Sequence, residues 1–358
     1  MNNKAVIAMS GGVDSSVAAY LMKQRGFDCI GVTMKLFANE DIGISREHSC
    51  CSLDDVEDAR SVAYSLDMPY YVFNFSDRFE TDVIGHFIHA YENGITPNPC
   101  IDCNRYLKFD KLYMRAKELD RDYVVTGHYA RVEKDENGRF LLKKALDDTK
   151  DQSYVLYCLT QEQLSHTIFP LGEMRKSQAR EIAESQGFIN ARKADSQDIC
   201  FVQNGSYADF IEQYTGKNYP SGDFLDTNGN VIGRHKGVIR YTVGQRKGLG
   251  ISAPEPLYVK AVNPVSNTVT LSYNDGLYSS VVKAGDINLI SVPEMKGEMR
   301  VKAKVRYRHT EQWATVTQNG DTITAVFDEP QRAVTCGQAL VLYDGDTVVG
   351  GGTIIKVE

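Results

Sequence analysis

No stretch of this 358-residue chain reaches the ~18 consecutive apolar residues that a membrane-crossing helix needs. The N-terminus, MNNKAVIAMSGG, has no cleavable signal pattern, because its short apolar run leads straight into glycines. We therefore expect a cytoplasmic protein without a membrane partner. Proline is scarce, at ten residues, and no internal repeat or low-complexity tract is visible, which sets aside repeat and disordered architectures. Excess positive charge is also missing. Lys and Arg total 40 against 47 Asp and Glu, for a net charge of −7, which argues against nonspecific coating of nucleic acid but is compatible with a local basic surface. What remains is a composition of 42% hydrophobic and 24% charged residues, enough chain for two or three domains with real cores. Eight cysteines are present: Cys29, Cys50, Cys51, Cys100, Cys103, Cys158, Cys200 and Cys336. In a reducing compartment disulfide stapling explains them poorly, so metal binding, catalysis and core packing stay open.

The first half alternates strand and helix. Residues 4–9 form a short apolar run bounded by glycines and predict a buried strand, and Val13–Arg25 carries apolar residues at helical spacing. Cys29–Phe37, Tyr70–Phe75 and Tyr123–Thr126 predict further strands. Ser52 with Asp55 reads as a capping box before a helix, and Asp77–Glu92 and Asn104–Leu119 read as helices. This pattern gives an α/β domain with a doubly wound parallel sheet over residues 1–205. After a last helix at Tyr207–Tyr214, turn signals punctuate short alternating segments. Hairpins are expected around Asn263–Asn267 and around Asn319-Gly320. Two small β-rich domains follow from this, at 206–278 and 279–358, the last a β-barrel.

The sharpest local signal is Ser10-Gly11-Gly12-Val13-Asp14-Ser15-Ser16, between the first strand and the first helix. Paired glycines let the backbone approach an anion, and the helix behind them offers free N–H groups and the positive end of its dipole. Three hydroxyls add donors. Asp14 is awkward beside phosphate alone and makes sense with a Mg²⁺ nearby. No Lys precedes the last Ser, so this is not a Walker A loop.

Two cysteine-bearing segments are polar: Thr96-Pro97-Asn98-Pro99-Cys100-Ile101-Asp102-Cys103-Asn104 and Asp195-Ser196-Gln197-Asp198-Ile199-Cys200-Phe201. The prolines argue against helix, which would put Cys103 at the start of the next one, where a helix N-terminus lowers a thiol pKa. Cys100 and Cys103 also have the spacing of half a zinc site, with Cys50, Cys51 and His48 as the available second half. Cys29, Cys158 and Cys336 fit inert packing. Further on, Met299–His309 alternates Arg300, Lys302, Lys304, Arg306 and Arg308 with apolar residues. On one strand this would line five cations along one face about 6.6 Å apart, a phosphate-binding stripe unless acidic neighbours pair with it. Gln245-Arg246-Lys247, in a Gly-rich stretch, offers a second basic site.

The glycine loop resembles that of the PP-loop, or N-type ATP pyrophosphatase, enzymes, whose fold is adenine-nucleotide-hydrolase-like. The chain as a whole resembles the bacterial tRNA-specific 2-thiouridylases through AMSGGVDSS (8–16), GVTMKLF (31–37), TPNPCIDCNRYLKF (96–109), TGHYAR (126–131), KDQSYVL (150–156), DSQDICF (195–201) and YTVGQRKGLGI (241–251). The resemblance implies ATP-dependent thiolation of the wobble uridine of tRNA, position 34, at C2. The uridine oxygen would be adenylated, a cysteine persulfide would deliver sulfur, and AMP and pyrophosphate would leave. It implies ATP contacts from Ala8, Met9, Ser10, Gly11, Gly12, Val13, Asp14, Ser15, Ser16, Met34 and Gly127, with Mg²⁺ whose ligands it does not assign. Cys103 would be the nucleophile and Cys200 the persulfide carrier, the two passing through a transient disulfide. Asn98, Pro99 and Cys100 would touch the target base, and Lys150, Asp151, Gln152, Arg306 and Tyr307 the tRNA. A sulfur-donor protein, a cysteine desulfurase or a relay carrier, is the further partner. Many members carry Asp where this chain has Cys100, so a general-base role at that position is without its carboxylate here. A ligase of the same loop class acting on a small molecule would need neither the cysteines nor the basic strand. A noncatalytic RNA-binding protein would release no AMP.

Overall fold

A computed structural model describes residues 2–37, 53–195, 199–202 and 206–358. The chain divides into two compact units. One contains residues 1–83, 99–204 and 345–349, and the other contains 84–98, 205–344 and 350–358.

The first unit is built on a parallel sheet. Its strands are β1 (Lys4–Ala8), β2 (Asp28–Lys35), β3 (Tyr70–Asn74), β4 (Tyr123–Val125) and, after a hairpin of β5 (Arg131–Lys134) and β6 (Phe140–Lys143), β7 (Thr167–Ile168). They lie in the order β3-β2-β1-β4-β7, with every pairing parallel. Both neighbours of β1 are parallel strands, and Ala5, Val6 and Ile7 are fully buried, the apolar run that an inner parallel strand requires. The helices Val13–Gln24, Leu53–Ser65 and Lys176–Ser185 supply small residues, Ala18, Ala19, Ala59, Ala63, Ala179 and Ala183, to one core with Ile7 and Val125. Alanine on all three helices lets their backbones come close, as interior packing demands. The strand order reverses around β1, and a crevice at the carboxyl ends of β1 and β4 is where such sheets bind ligands.

The second unit holds two β structures. Strands β8 (Gly222–Leu225), β9 (Val231–His235), β10 (Tyr258–Asn263) and β11 (Thr268–Ser272) form a four-stranded sheet in the order β10-β11-β8-β9. The expected hairpin is present, Asn263 pairing with Thr268. The helix Tyr207–Thr215 precedes this sheet, opened by a Ser206/Asp209 capping box and closed by left-handed Gly216. Strands β12 (Tyr278–Leu289), β13 (Met299–Lys304), β14 (Gln312–Asn319), β15 (Thr322–Arg332), β16 (Ala339–Asp344) and β17 (Thr347–Val357) run β12-β15-β14-β13-β16-β17. Pairing of β12 with β17 closes a six-stranded barrel. The hairpin at Asn319-Gly320 is also as expected, with Asn319 opposite Thr322 and Gly320 left-handed at φ 57°.

The basic segment departs from the sequence expectation. The strand ends at Lys304, and residues 305–310 turn, so one strand face carries three cations rather than five. Arg300 forms a two-point ion pair with Asp328 of β15, and Lys302 lies 3.7 Å from Glu311. Both also flank the Trp313 ring, at 5.2 and 5.6 Å. Acids from β15, two strands away, and from the turn before β14 neutralise Arg300 and Lys302 in the stripe.

Candidate active site

The glycine loop leaves β1 and turns into the helix Val13–Gln24. Gly11 is left-handed at φ 73°, and a Cβ there would come within 2.4 Å of the Asp55 carbonyl oxygen. Only glycine makes this turn. Gly12 is the N-cap and has no side chain to occupy the N–H groups of the first turn. Ser15 and Ser16 donate their hydroxyls to the Gly12 carbonyl, at 3.0 and 3.1 Å, and the Ser10 amide donates to Ser15 Oγ at 3.2 Å. The loop is thus braced from within while its leading N–H groups lack a side-chain cap, the donor set that a polyphosphate fits. Gly127, just past β4, lies against this loop. A Cβ on it would sit 2.8 Å from both Asp14 C and Ser15 N, so its role is close packing that lets β4 and the loop share one edge. Ala8 ends β1, Met9 is buried, and Met34 is half-buried near the end of β2 opposite Phe73.

Residues from the far end of the unit hold the loop in shape, and sequence reasoning did not single them out. Asn190, 3% exposed, donates to the Gly11 carbonyl and to Ser16 Oγ, both at 2.9 Å. Lys193 reaches the Gly11 carbonyl at 3.3 Å and pairs with Asp55 at 2.6 Å and Asp58 at 2.7 Å. Burial alone would lower the Lys193 ammonium; the two carboxylates outweigh it and raise its pKa. Asp55 therefore serves Lys193, while the capping partner expected of it, Ser52, lies outside the described residues.

Asp14 has two partners within the unit. Lys176, 9% exposed, contacts both Asp14 oxygens at 2.8 Å, and the Tyr129 hydroxyl donates to Oδ1 at 2.8 Å. Its charge is met by a lysine, and among the described residues no three His, Cys, Asp or Glu side chains converge as metal ligands. Burial, followed by the Asp14 charge, pushes the Tyr129 hydroxyl pKa far up, so it remains a donor. Lys176 also pairs with Asp195 at 2.7 Å, and Asp195 is shared with Lys150 at 2.8 Å and Arg180 at 3.2 Å. Burial would raise the Asp195 carboxyl, but Lys150 and Lys176 override it and hold it far below the usual carboxylate range.

The cysteine segment also departs from expectation. Helix begins at Pro99, a residue suited to the first helical position, and continues through a π-helical stretch at Cys103–Lys111 into Leu112–Glu118. Cys103 is therefore one turn inside a helix and 9% exposed, rather than at a helix N-terminus. Its neighbour Asn104 donates to the Val155 carbonyl at 2.9 Å. Cys100 is exposed as a residue; protein crowded around its sulfur still raises the thiol pKa, against the pull of Lys108, so a resting thiolate base is not what this site offers. Cys200 is half-buried and belongs to the same unit. The ring of Phe201 packs edge-on against Phe79 at 5.7 Å, and the helix Ser76–Phe79 touches the helix that carries Cys103. Neither Cys103 nor Cys200 is in a disulfide. Cys50, Cys51 and His48, the partners a zinc site would need, lie outside the described residues.

The remaining sequence-selected residues are placed as follows. Asp151 accepts from the amides of Ala145 and Ser153 and from the Ser153 hydroxyl, and Gln152 exchanges hydrogen bonds with the Tyr129 backbone. Both side chains shape the fold. In the second unit, Arg306 donates to the Val243 carbonyl and to Thr335 Oγ1, while Tyr307 is 38% exposed with Lys304 5.8 Å from its ring. Asn98 ends the second unit's 84–98 segment, and Pro99 opens the helix of the first.

A parallel α/β unit with an uncapped glycine loop at its first β–α junction, followed by a β sheet and a closed barrel, defines a HUP-domain protein with two appended β modules. Family models agree along the chain: tRNA methyl transferase HUP domain at residues 3–204, tRNA methyl transferase PRC-barrel domain at 208–273, and aminomethyltransferase beta-barrel domain at 279–354. The chain is 52% identical over 358 residues to the tRNA-specific 2-thiouridylase MnmA of Clostridioides difficile (strain 630), covering 99% of each. It is 48% identical over 353 residues to that of Clostridium perfringens (strain 13 / Type A), covering 98% of each. Among solved structures it is similar to a 4-thiouridine synthetase–RNA complex with bound ATP, at 20% identity and a TM-score of 0.36 over 60% of this chain and 50% of that one. The chain belongs to the tRNA-specific 2-thiouridylase family.

Proposed function

We propose that this protein is a tRNA-uridine 2-sulfurtransferase. With ATP and Mg²⁺ it replaces the C2 oxygen of wobble uridine by sulfur, giving 2-thiouridine, AMP and pyrophosphate. The observation that carries the reading is that the uncapped anion loop, Cys103 and Cys200 all belong to one compact unit. ATP supplies the activation that turns a poor leaving oxygen into part of AMP. The amides of the Gly12–Ser15 turn hold its phosphates, Gly127 and Asn190 keep that turn in register, and Mg²⁺ accompanies the phosphates without an assigned protein ligand.

Cys200 carries sulfur as a persulfide loaded by a donor protein. The terminal sulfur bonds to the activated C2, and the oxygen departs with AMP. Cys103 attacks the inner sulfur of residue 200; the new Cys103–Cys200 bond replaces the bond to the transferred sulfur, which is thereby reduced. A cellular thiol reductant restores both cysteines. Asn98, Pro99 and Cys100 meet the everted base, an arrangement RNA-modifying sites require. Of the stretch 150–152, Lys150 carries the positive charge suited to a tRNA phosphate, a charge it also shares with Asp195, whereas Asp151 and Gln152 bond to the surrounding backbone. Exposed Tyr307, on a turn braced by Arg306, is a second contact.

The test is incubation with ATP, Mg²⁺, a persulfide source and unmodified tRNA, followed by nucleoside mass spectrometry and AMP quantification. 2-Thiouridine and AMP in equal amounts are expected. AMP release without tRNA-borne sulfur would place the chain among adenylating ligases, and no AMP at all would make it a binding protein.

A further inference from the structure

Cys103 needs a source of activation other than a helix N-terminus, because helix begins at Pro99 and the residue lies one turn inside it. Burial favours the neutral thiol, and a thiolate persists there only beside a positive charge. The winding of the chain offers one. In an α-helix, residues five apart point about 140° away from each other around the axis. Over Cys103–Lys111 the helix is π-wound instead, and the Leu112 amide continues that pattern by donating to the Leu107 carbonyl. Hydrogen bonds between residues five apart set residue i+5 one turn beyond residue i. Lys108 therefore stands one turn past Cys103, towards the side that the thiol occupies.

Lys108 is also the cation of this region without an acid. Arg78, on the helix Ser76–Phe79 that touches the stretch, pairs with Asp82 at 2.7 Å. Lys111 lies 3.7 Å from Asp110, Arg115 pairs with Glu118, and Lys117 is 3.1 Å from Glu162. Arg105 sits beside the Cys158 sulfur. Half-buried Lys108 has no carboxylate partner among the described residues. The acids left on the elements packed here are Asp77 and Asp102, and the phenols are Tyr106, Tyr113 and Tyr154. The charge of Lys108 is felt inside the protein. Burial raises the Cys100 thiol pKa, with Lys108 the foremost influence against it, and burial holds His128 well below the ordinary imidazole value, with Lys108 adding to that. Cys100 is three residues before Cys103, on the same helix face, and the His128 ring lies 6.0 Å from that of Phe109. We propose that Lys108 is a positioning residue that keeps Cys103 as the thiolate: the Cys103 proton goes to solvent, and the ammonium one π turn away holds the charge until the sulfur attacks. Its purpose rests on the proposed function, in which that thiolate bonds to the inner sulfur of residue 200, the bond from there to the transferred sulfur breaks, and the electron pair stays with the sulfur on C2.

The test is the pH profile of Cys103 alkylation by iodoacetamide, read by peptide mass spectrometry in the full chain. Wild type is expected to titrate below the about 8.5 of a free cysteine. Lys108→Met should move the midpoint up by about one pH unit, which slows alkylation at neutral pH about tenfold. Lys108→Arg keeps the charge and should stay within about twofold of wild type. Cys29, 2% exposed in the core of the first unit, reports on the fold by remaining unmodified. A wild-type midpoint at or above the free value overturns the proposal whether or not the variants fold. So does a Lys108→Met profile that superimposes on wild type with Cys29 unmodified, the result expected if the ammonium serves a tRNA phosphate instead. A Lys108→Arg enzyme as slow as Lys108→Met also overturns it, since lost packing rather than lost charge would then be the cause. 2-Thiouridine formation by the same wild-type preparation is scored separately. A chain that thiolates tRNA with Cys103 unshifted keeps the proposed function and loses the role of Lys108. One whose Cys103 is shifted by Lys108 but that makes no 2-thiouridine does the reverse.

Discussion

Gly127→Ala is the smallest change that tests whether the loop's geometry, rather than its composition, makes the nucleotide site. The added methyl would sit 2.8 Å from Asp14 C and Ser15 N and 3.0 Å from Asp14 Cβ. Carbon atoms rest comfortably at about 3.5 Å, so the clash is roughly 0.7 Å against backbone that cannot rotate away. The first turn of the helix Val13–Gln24 has to retreat by that distance, carrying the N–H groups meant for phosphate. Overpacking of this kind costs about 1–3 kcal/mol, and each kcal/mol lowers Tm by roughly 2–4 °C in a unit of this size. Displacement of a preorganised site by most of an ångström lowers kcat/KM for ATP by about tenfold to a hundredfold. The assay is AMP formation with tRNA present, titrated in ATP, beside thermal unfolding. Gly285→Ala is the control, since its nearest neighbour, Ile355 Cδ1, would lie at an ordinary 3.6 Å, and it should shift stability by no more than about 0.5 kcal/mol. A Gly127→Ala enzyme within about twofold of wild type in kcat/KM would refute the reasoning.

Three further outcomes follow from the same structure. Cys103→Ser and Cys200→Ser should each abolish 2-thiouridine formation in the nucleoside assay. Cys158→Ala should keep it, because burial pushes that thiol up to about 11 and leaves it an inert packing group. The Asp195 carboxyl is held below its unfolded value, so its contribution to stability is complete above the about 3.9 of an unfolded Asp and drains away as pH falls below it. Urea midpoints measured between pH 5 and pH 2 should therefore fall more steeply for wild type than for Asp195→Asn; parallel curves would contradict the ion-pair assignment. On the RNA side, Arg300→Gln should leave the salt dependence of tRNA binding unchanged, since Asp328 already neutralises that arginine. Replacing exposed Arg246 and Lys247 by Gln should lower the slope of log K against log salt by about two.

What could be read from the sequence was what is local. The run Ala5–Ile7, the glycine pair and the turn at Asn319-Gly320 each specify their structure within a few residues, and the structure has them where expected. What could not be read depends on contacts across more than a hundred residues. Lys176 touches Asp14, and Asn190 touches Gly11, but neither residue sits in a motif, and helix Lys176–Ser185 has no signal that separates it from any surface helix. The same limit explains the basic segment. Its alternation is real up to Lys304, yet the acids opposing Arg300 and Lys302 come from β15 and from the turn before β14. Pro99 misled for a different reason: proline forbids a helix interior but favours the first helical position, and only the following residues decide which rule applies.

The proposed scheme gives the two cysteines different tasks. A sulfur carrier has to be reachable by a donor protein, while a resolving thiol has to be kept from adventitious oxidation until its partner is loaded. Cys200 is half-buried. Cys103 is 9% exposed, one turn inside a helix whose next residue, Asn104, is tied to the Val155 carbonyl. Thiol exchange needs one sulfur to reach the other directly. In the proposed scheme Cys103 is held inside a packed helix, so the approach would fall to residue 200.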